Sequence, residues 1–170
     1  MKWNYLALLV VSVLLLSSCT QFPAETAKEI NRTVEVEAQG TMLHYQGESY
    51  WSEDEFSIIL ENKDEFGSGL VENFSADLSR YGKHAINPAV EFNEVNKATT
   101  LTCDIEGAMY STNCYDFHWL LGDLPFDLYA FQESEKELNY QGEVNGIPTT
   151  IRLIFPYAIT HCHEHVWPAG

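Results

Sequence analysis

Apolar and polar residues alternate where Val34, Val36 and Ala38 interleave with Thr33, Glu35 and Glu37, the period-two pattern of a half-buried strand. Gly40 and Gly47 bracket a second strand from Thr41 to Tyr45, so the folded part opens as a β-hairpin near Asn31. Ser52-Glu53-Asp54-Glu55 has the spacing of a helix capping box, yet Phe56-Ser57-Ile58-Ile59-Leu60 behind it is short and β-rich. Helix and strand compete there, and the run is assigned to a strand. Helical spacing is clearest between Gly69 and Tyr81, where Leu70, Val71, Phe74, Leu78 and Tyr81 fall on one stripe, with Ser68 placed to cap the start and Gly82 the end. Beyond Pro88, Ala89–Val95 and Thr99–Ile105 read as strands, and a third is expected over Tyr115–Leu121. Asn145-Gly146, between Leu138–Val144 and Ile147–Tyr157, is the preferred pair for a two-residue type I′ hairpin turn. The pattern predicts an α+β fold: a predominantly antiparallel sheet with at least one packed helix, over about residues 69–81.

The first residues follow a different rule. Lys2 precedes an apolar run from Tyr5 to Leu16 that only Ser12 interrupts. The run is short for a membrane span, which takes about 20 apolar residues, and matches the apolar core of a signal peptide. It ends at Leu16-Ser17-Ser18-Cys19, which resembles the lipobox of prokaryotic lipoprotein leaders. The resemblance covers the leader and Cys19 alone. It implies that residues 1–18 are removed as a signal peptide, that Cys19 is acylated, and that the protein is held on the extracytoplasmic side of a membrane by its acyl chains. The alternative is an ordinary secretory signal with Cys19 merely near the cut. Residues 19–30, which include Pro23 and lack a strong apolar period, then read as a tether, and residues 31–170 as a single globular domain.

Charge narrows the choice of partners. The formal charge is −16, and loss of the leader removes Lys2 and no acidic residue. Without clustered Lys and Arg there is no surface to displace counterions from phosphates, so nucleic acid is excluded as a partner. Direct adhesion to anionic lipid is disfavoured too, leaving attachment to the acyl chains. Of four cysteines, Cys19 is committed if the lipobox is real, which leaves an odd number. Cys103 and Cys114 flank a segment with Gly107 and Ser111-Thr112-Asn113 that can fold back, and a disulfide between them is favoured; pairing of Cys162 with either remains open.

Metal chemistry is concentrated at His161-Cys162-His163-Glu164-His165, where four of five consecutive residues carry imidazole or thiol ligands suited to zinc or copper. On a strand, His161, His163 and His165 share one face, and Cys162 takes the other. Neighbours on that face stand about 7 Å apart and the outer pair about 13 Å, so a straight strand supplies two converging imidazoles and needs His118 or His44 to complete a site. The histidines share the parity of Ile151, Leu153 and Phe155, which would aim them inward on an unbroken strand; Pro156 interrupts that argument. The competing reading is a loose terminus. Tyr115 to Phe131 packs six aromatic residues among aliphatics and three aspartates, as either a buried strand with its turn or one wall of an apolar pocket. Asn31 and Asn73 begin Asn-x-Ser/Thr glycosylation patterns.

No nucleophile elbow, phosphate loop, dinucleotide fingerprint or His-Glu-x-x-His motif occurs in the chain. A catalytic zinc would also need a general base, and only Glu164 stands beside the cluster. Three classes of function remain. They are an envelope lipoprotein binding a metal ion or small ligand, a structural or partner-binding envelope component, and a small extracytoplasmic metalloenzyme, in that order.

Overall fold

The computed structural model describes residues 28–111, 114–121 and 132–158. Six strands of eight or more residues form one sheet: β1 (Glu29–Gln39), β2 (Met42–Trp51), β3 (His84–Asn93), β4 (Ala98–Glu106), β8 (Glu137–Val144) and β9 (Ile147–Ile154). Two residues of β7 (Gln132–Glu133) extend its edge, giving the order β3-β4-β2-β1-β9-β8-β7. β1 and β9 run parallel, and every other neighbouring pair is antiparallel. Two helices sit between β2 and β3 in the chain, α1 (Glu53–Glu61) and α2 (Lys63–Arg80). A short ribbon, β5 (Met109–Ser111) and β6 (Cys114–Tyr115), leads into α3 (His118–Leu121). The fold is α+β, as the alternation of periods predicts.

The hairpin expected at Asn145-Gly146 forms, with φ of 53° and 80° at the two residues, the left-handed pair that a type I′ turn requires. Two segments take a secondary structure other than the one expected. Residues 56–60 are helical: the Ser52 hydroxyl accepts from the Glu55 amide at 3.3 Å and donates to its carboxylate at 3.0 Å, so the capping box starts α1 and outweighs the β propensity of Ile58 and Ile59. Phe56 and Ile59, three positions apart, are then the buried face. The second failure is the strand expected over 115–121, where only Tyr115 pairs and His118–Leu121 makes a helical turn.

Helix α2 also starts earlier than its apolar stripe suggests. Ser68, expected as the cap, lies inside it and donates to the Glu65 carbonyl at 3.0 Å. Gly67 is buried against β3, where a Cβ would stand 3.7 Å from Phe92 and 3.8 Å from Val90, so close packing on the sheet compensates for two glycines in the first half of the helix. Gly82, at φ 68°, follows Tyr81 at the C-terminus as expected.

One sheet face is the core. Its side chains fall into cross-strand rows fixed by register: Ala85, Ile105, Leu43 and Ala38; then Cys103, Tyr45, Val36, Leu153 and Leu138; then Val90, Leu101, Gly47, Val34, Ile151 and Tyr140. Leu78 of α2, Ala108 and Phe117 complete the buried cluster. The Lys83 ammonium is buried as well, bound to the Asp116 carboxylate at 2.5 Å, which ties the turn after α2 to the residues before α3. The opposite sheet face is polar, with Glu35, Gln46, Thr102, Asp104, Asn139 and Arg152 placed between the core-facing positions. Arg152 bridges three strands there, at 2.9 Å from Glu35 and 2.7 Å from Glu137.

Candidate functional site

A fourth row on the core face breaks the apolar pattern. Register places Thr99, Ser49, Arg32, Thr149 and Gly142 side by side across β4, β2, β1, β9 and β8. Strand neighbours are about 4.8 Å apart, so four polar side chains stand in a line roughly 15 Å long, next to a row made of Leu101, Gly47, Val34 and Ile151. Thr99 is satisfied by the Trp51 indole N–H at 3.0 Å, and Thr149 donates to the Ile147 carbonyl at 2.8 Å. Among the described residues, neither Ser49 nor Asn73, which faces the row from α2, has a side-chain hydrogen-bond partner.

Arg32 is held from one side. Its Nε donates to Glu29 Oε1 at 2.9 Å and its Nη2 to Glu29 Oε2, a bidentate pair in which the carboxylate is 8 % exposed. The bond from Glu29 raises the guanidinium pKa in spite of its partial burial. This pair follows from sequence spacing: Glu29 and Arg32 are three residues apart, and the register irregularity between Glu29 and Asn31 lets the chain bring both to one side.

The row forms the floor of a cleft under α2. One chamber, of about 280 Å³, is lined by Val34, Tyr45, Gly47, Leu70, Phe74, Trp119 and Ile151 around Arg32 and Ser49. The adjoining one, of about 750 Å³, continues past Arg32, Ser49, Leu70 and Asn73 to Trp51, Phe66, Gly69 and Ile147, with Lys28, Glu29, Glu65 and Glu72 at its walls. Small-molecule sites have this make-up, mainly apolar walls and a few convergent polar groups in several hundred cubic ångströms. Tyr45 is fixed within the smaller chamber by Phe74, at a ring distance of 4.6 Å, and by Trp119 at 5.9 Å. Its ring lies along its own strand above Gly47, where a Cβ would be only 2.2 Å from the phenol oxygen. Tyr140 lies over Gly142 in the same way, at 2.3 Å, so the sequence Tyr-Gln-Gly-Glu has one conformation at both of its occurrences, residues 45–48 and 140–143. Burial raises the phenol pKa of Tyr45, with the Arg32 charge acting against it.

The residues singled out for metal chemistry are elsewhere. Cys19, His161, Cys162, His163 and His165 lie outside the described residues. β9 ends at Ile154, before Pro156. His44 is on the polar sheet face, directly across from Asp104, with Nδ1 at 3.0 Å from its carboxylate. His118 opens α3. Among the described residues no three His, Cys, Asp or Glu side chains are grouped to hold a metal ion.

Cys103, expected in a bridge with Cys114, is a free thiol. It faces the core opposite Tyr45, and desolvation pushes its pKa up to about 12. β4 is sandwiched between β2 and β3, while Cys114 belongs to the separate β5-β6 ribbon. Of the aromatic segment, Phe117 is buried and Trp119 lines the cleft; residues 122–131 lie outside the described residues. Asn73 of the glycosylation pattern is a cleft residue, and Asn31 is on exposed β1 backbone beside Arg32.

Sequence reasoning missed the polar row. Arg32, Ser49, Thr99 and Thr149 stand 17 to 50 positions apart and line up only through the pairing of β4, β2, β1 and β9, of which the β2-β4 and the parallel β1-β9 contacts are encoded by no local pattern. One signal was present: Arg32 continues the inward parity of Val34, Val36 and Ala38, and a charged residue at a core-facing strand position is a functional-site flag. No helix among the described residues is long and apolar enough to cross a membrane. No family model, curated protein or solved structure matches the chain.

Proposed function

We propose that this chain is an exported lipoprotein, anchored through acyl chains on Cys19, whose folded domain binds a small amphiphilic molecule in the cleft between α2 and the sheet. The observation that carries the reading is the polar row Thr99, Ser49, Arg32 and Thr149 set into an otherwise apolar face and opening to the cleft. A row serving stability alone would be filled with mainly apolar residues like the three others on that face, because each buried polar group costs free energy until it is hydrogen-bonded. The cleft instead offers apolar walls for a ligand's body and hydrogen-bonding groups for its head. The small-ligand form of the function is the one that the cleft and its polar row support.

The test fills the cleft. Gly69 lines the larger chamber, and a Cβ built on it meets nothing within 4 Å, so Gly69→Trp places an indole in the cleft without a clash at its root. Binding of an uncharged environment-sensitive dye by the full chain, held in phospholipid nanodiscs, is expected to weaken at least about tenfold in Gly69→Trp, the worth of roughly 1.4 kcal/mol. An unchanged affinity in a variant with unchanged melting temperature would reject the cleft as the binding site.

A further inference from the structure

Tyr45 is 8 % exposed, lines the smaller chamber and has a phenol hydroxyl that no group among the described residues accepts from. Its position is enforced: the ring is held by Phe74 and Trp119, and the hydroxyl occupies the space that a side chain at residue 47 would take. Leaving such a buried hydroxyl without a protein partner is unfavourable, and the same residue as phenylalanine would pack equally well. The hydroxyl therefore points to something that accepts its proton inside the cleft. Arg32 lines the same chamber, and two of its three nitrogens are bound to Glu29, so Nη1 is its remaining donor edge.

The charge balance limits what that acceptor is. Glu29 neutralises Arg32, and the other ionised group lining the smaller chamber is Asp77, itself paired with Arg80 at 3.0 Å on the exposed side of α2. An ionised head would give up hydration between the apolar walls without a free counter-charge, and an ammonium would in addition stand beside the Arg32 guanidinium. We infer that the smaller chamber is a head-group subsite for an uncharged carbonyl, an amide or ester, which accepts from the Tyr45 hydroxyl and from Arg32 Nη1 while its apolar chain runs along the larger chamber. This rests on the ligand-binding reading above and adds the chemistry of the head group. In that arrangement Tyr45 and Arg32 discriminate between ligands of one chain length, and Leu70 and Trp51 bind the chain irrespective of its head.

Three eight-carbon probes that differ in the head alone separate the possibilities: octanamide, octanoate and octylammonium. Each is titrated calorimetrically into the full chain in zwitterionic nanodiscs, with empty nanodiscs subtracted, and again into Tyr45→Phe. The expected order is octanamide tightest, by about tenfold over either ion, and Tyr45→Phe lowers octanamide affinity about three- to tenfold while octylammonium changes less than twofold. Octanoate or octylammonium binding as tightly as octanamide would overturn the inference and leave a cleft that binds by its walls. So would octanamide affinity that is the same in Tyr45→Phe. Failure of all three probes to bind would overturn the ligand-binding reading itself, and the head-group assignment with it.

Discussion

Gly47→Ala puts the packing beneath the cleft to a direct test. The added Cβ would stand 2.2 Å from the Tyr45 phenol oxygen, 2.8 Å from Cζ and 3.0 Å from Cε1, distances that real Cβ contacts do not show. Tyr45 has little room to retreat, since Phe74 and Trp119 hold its ring on two sides. Either the ring leaves its rotamer or the strand shifts, and overpacking of this kind costs about 1–3 kcal/mol. The two aromatic contacts contribute about 0.5–1.5 kcal/mol each beyond area burial, so expelling the ring adds to that figure. Against it stands the usual gain of roughly 0.5–1 kcal/mol when alanine replaces glycine in a strand. The balance is a loss of about 2 kcal/mol, which lowers the urea midpoint by about 1 M for a slope near 2 kcal/mol/M. Gly69→Ala is the control. Nothing lies within 4 Å of its Cβ position in the middle of α2, so stability rises by about 0.5–1 kcal/mol. In a double-mutant cycle, Tyr45→Leu removes the ring that clashes, and the cost of Gly47→Ala largely disappears in its presence. Urea unfolding of the four proteins of the cycle and of Gly69→Ala reads all of these terms. A Gly47→Ala variant as stable as the parent, or a cost unaltered by Tyr45→Leu, would refute the reasoning.

Three further outcomes follow from single groups. Ser52→Ala removes the cap of α1 and is expected to cost about 1 kcal/mol in chemical denaturation, whereas a neutral result would mean that Phe56 and Ile59 alone hold the helix. The Cys103 thiol, raised to about 12 by desolvation, should be inert to an aromatic disulfide reagent at pH 8 in the folded protein and react on unfolding; fast modification in the native state would contradict its burial. The hydrogen bond from Arg152 lowers the Glu137 carboxyl pKa below its ordinary value. A group with a depressed folded pKa stabilises the protein above the unfolded pKa, near about 4.3, and that stability is lost as pH falls through the folded value. The parent should therefore lose more stability than Glu137→Gln between pH 5 and pH 3, and equal losses would show that the Arg152 bridge across β1, β9 and β8 carries no linkage.

The strands were legible wherever a local period or turn residue encoded them. Val34, Val36 and Ala38 mark the inward face of β1, and Asn145-Gly146 marks the last hairpin. The helices were legible in part. Ser52 and Glu55 announce α1 while the β-branched pair Ile58-Ile59 argues for a strand, and the Ser52–Glu55 hydrogen bonds together with the burial of Phe56 and Ile59 decide between them. Gly67 and Gly69 concealed the first half of α2, because a glycine seated against Val90 and Phe92 reads in one dimension as a break. The cleft was not legible at all as a site. Its floor is made by the juxtaposition of β1 and β9, more than a hundred residues apart, and its unpartnered Tyr45 hydroxyl looks in sequence like any inward aromatic. The histidine-cysteine cluster is visible in the sequence because its ligands are consecutive; the polar row is not, because its members are dispersed.

The central claim is that the cleft under α2 is where this protein binds a small amphiphile. Backbone amide spectra of the full chain in nanodiscs, recorded as octanamide is added, test it most directly. The account predicts shifts concentrated at Ser49, Leu70, Asn73, Ile147 and Thr149, which line the cleft, with Gln46 and Thr102 on the opposite face unmoved. Shifts confined to that opposite face, or none at saturating octanamide, would contradict it.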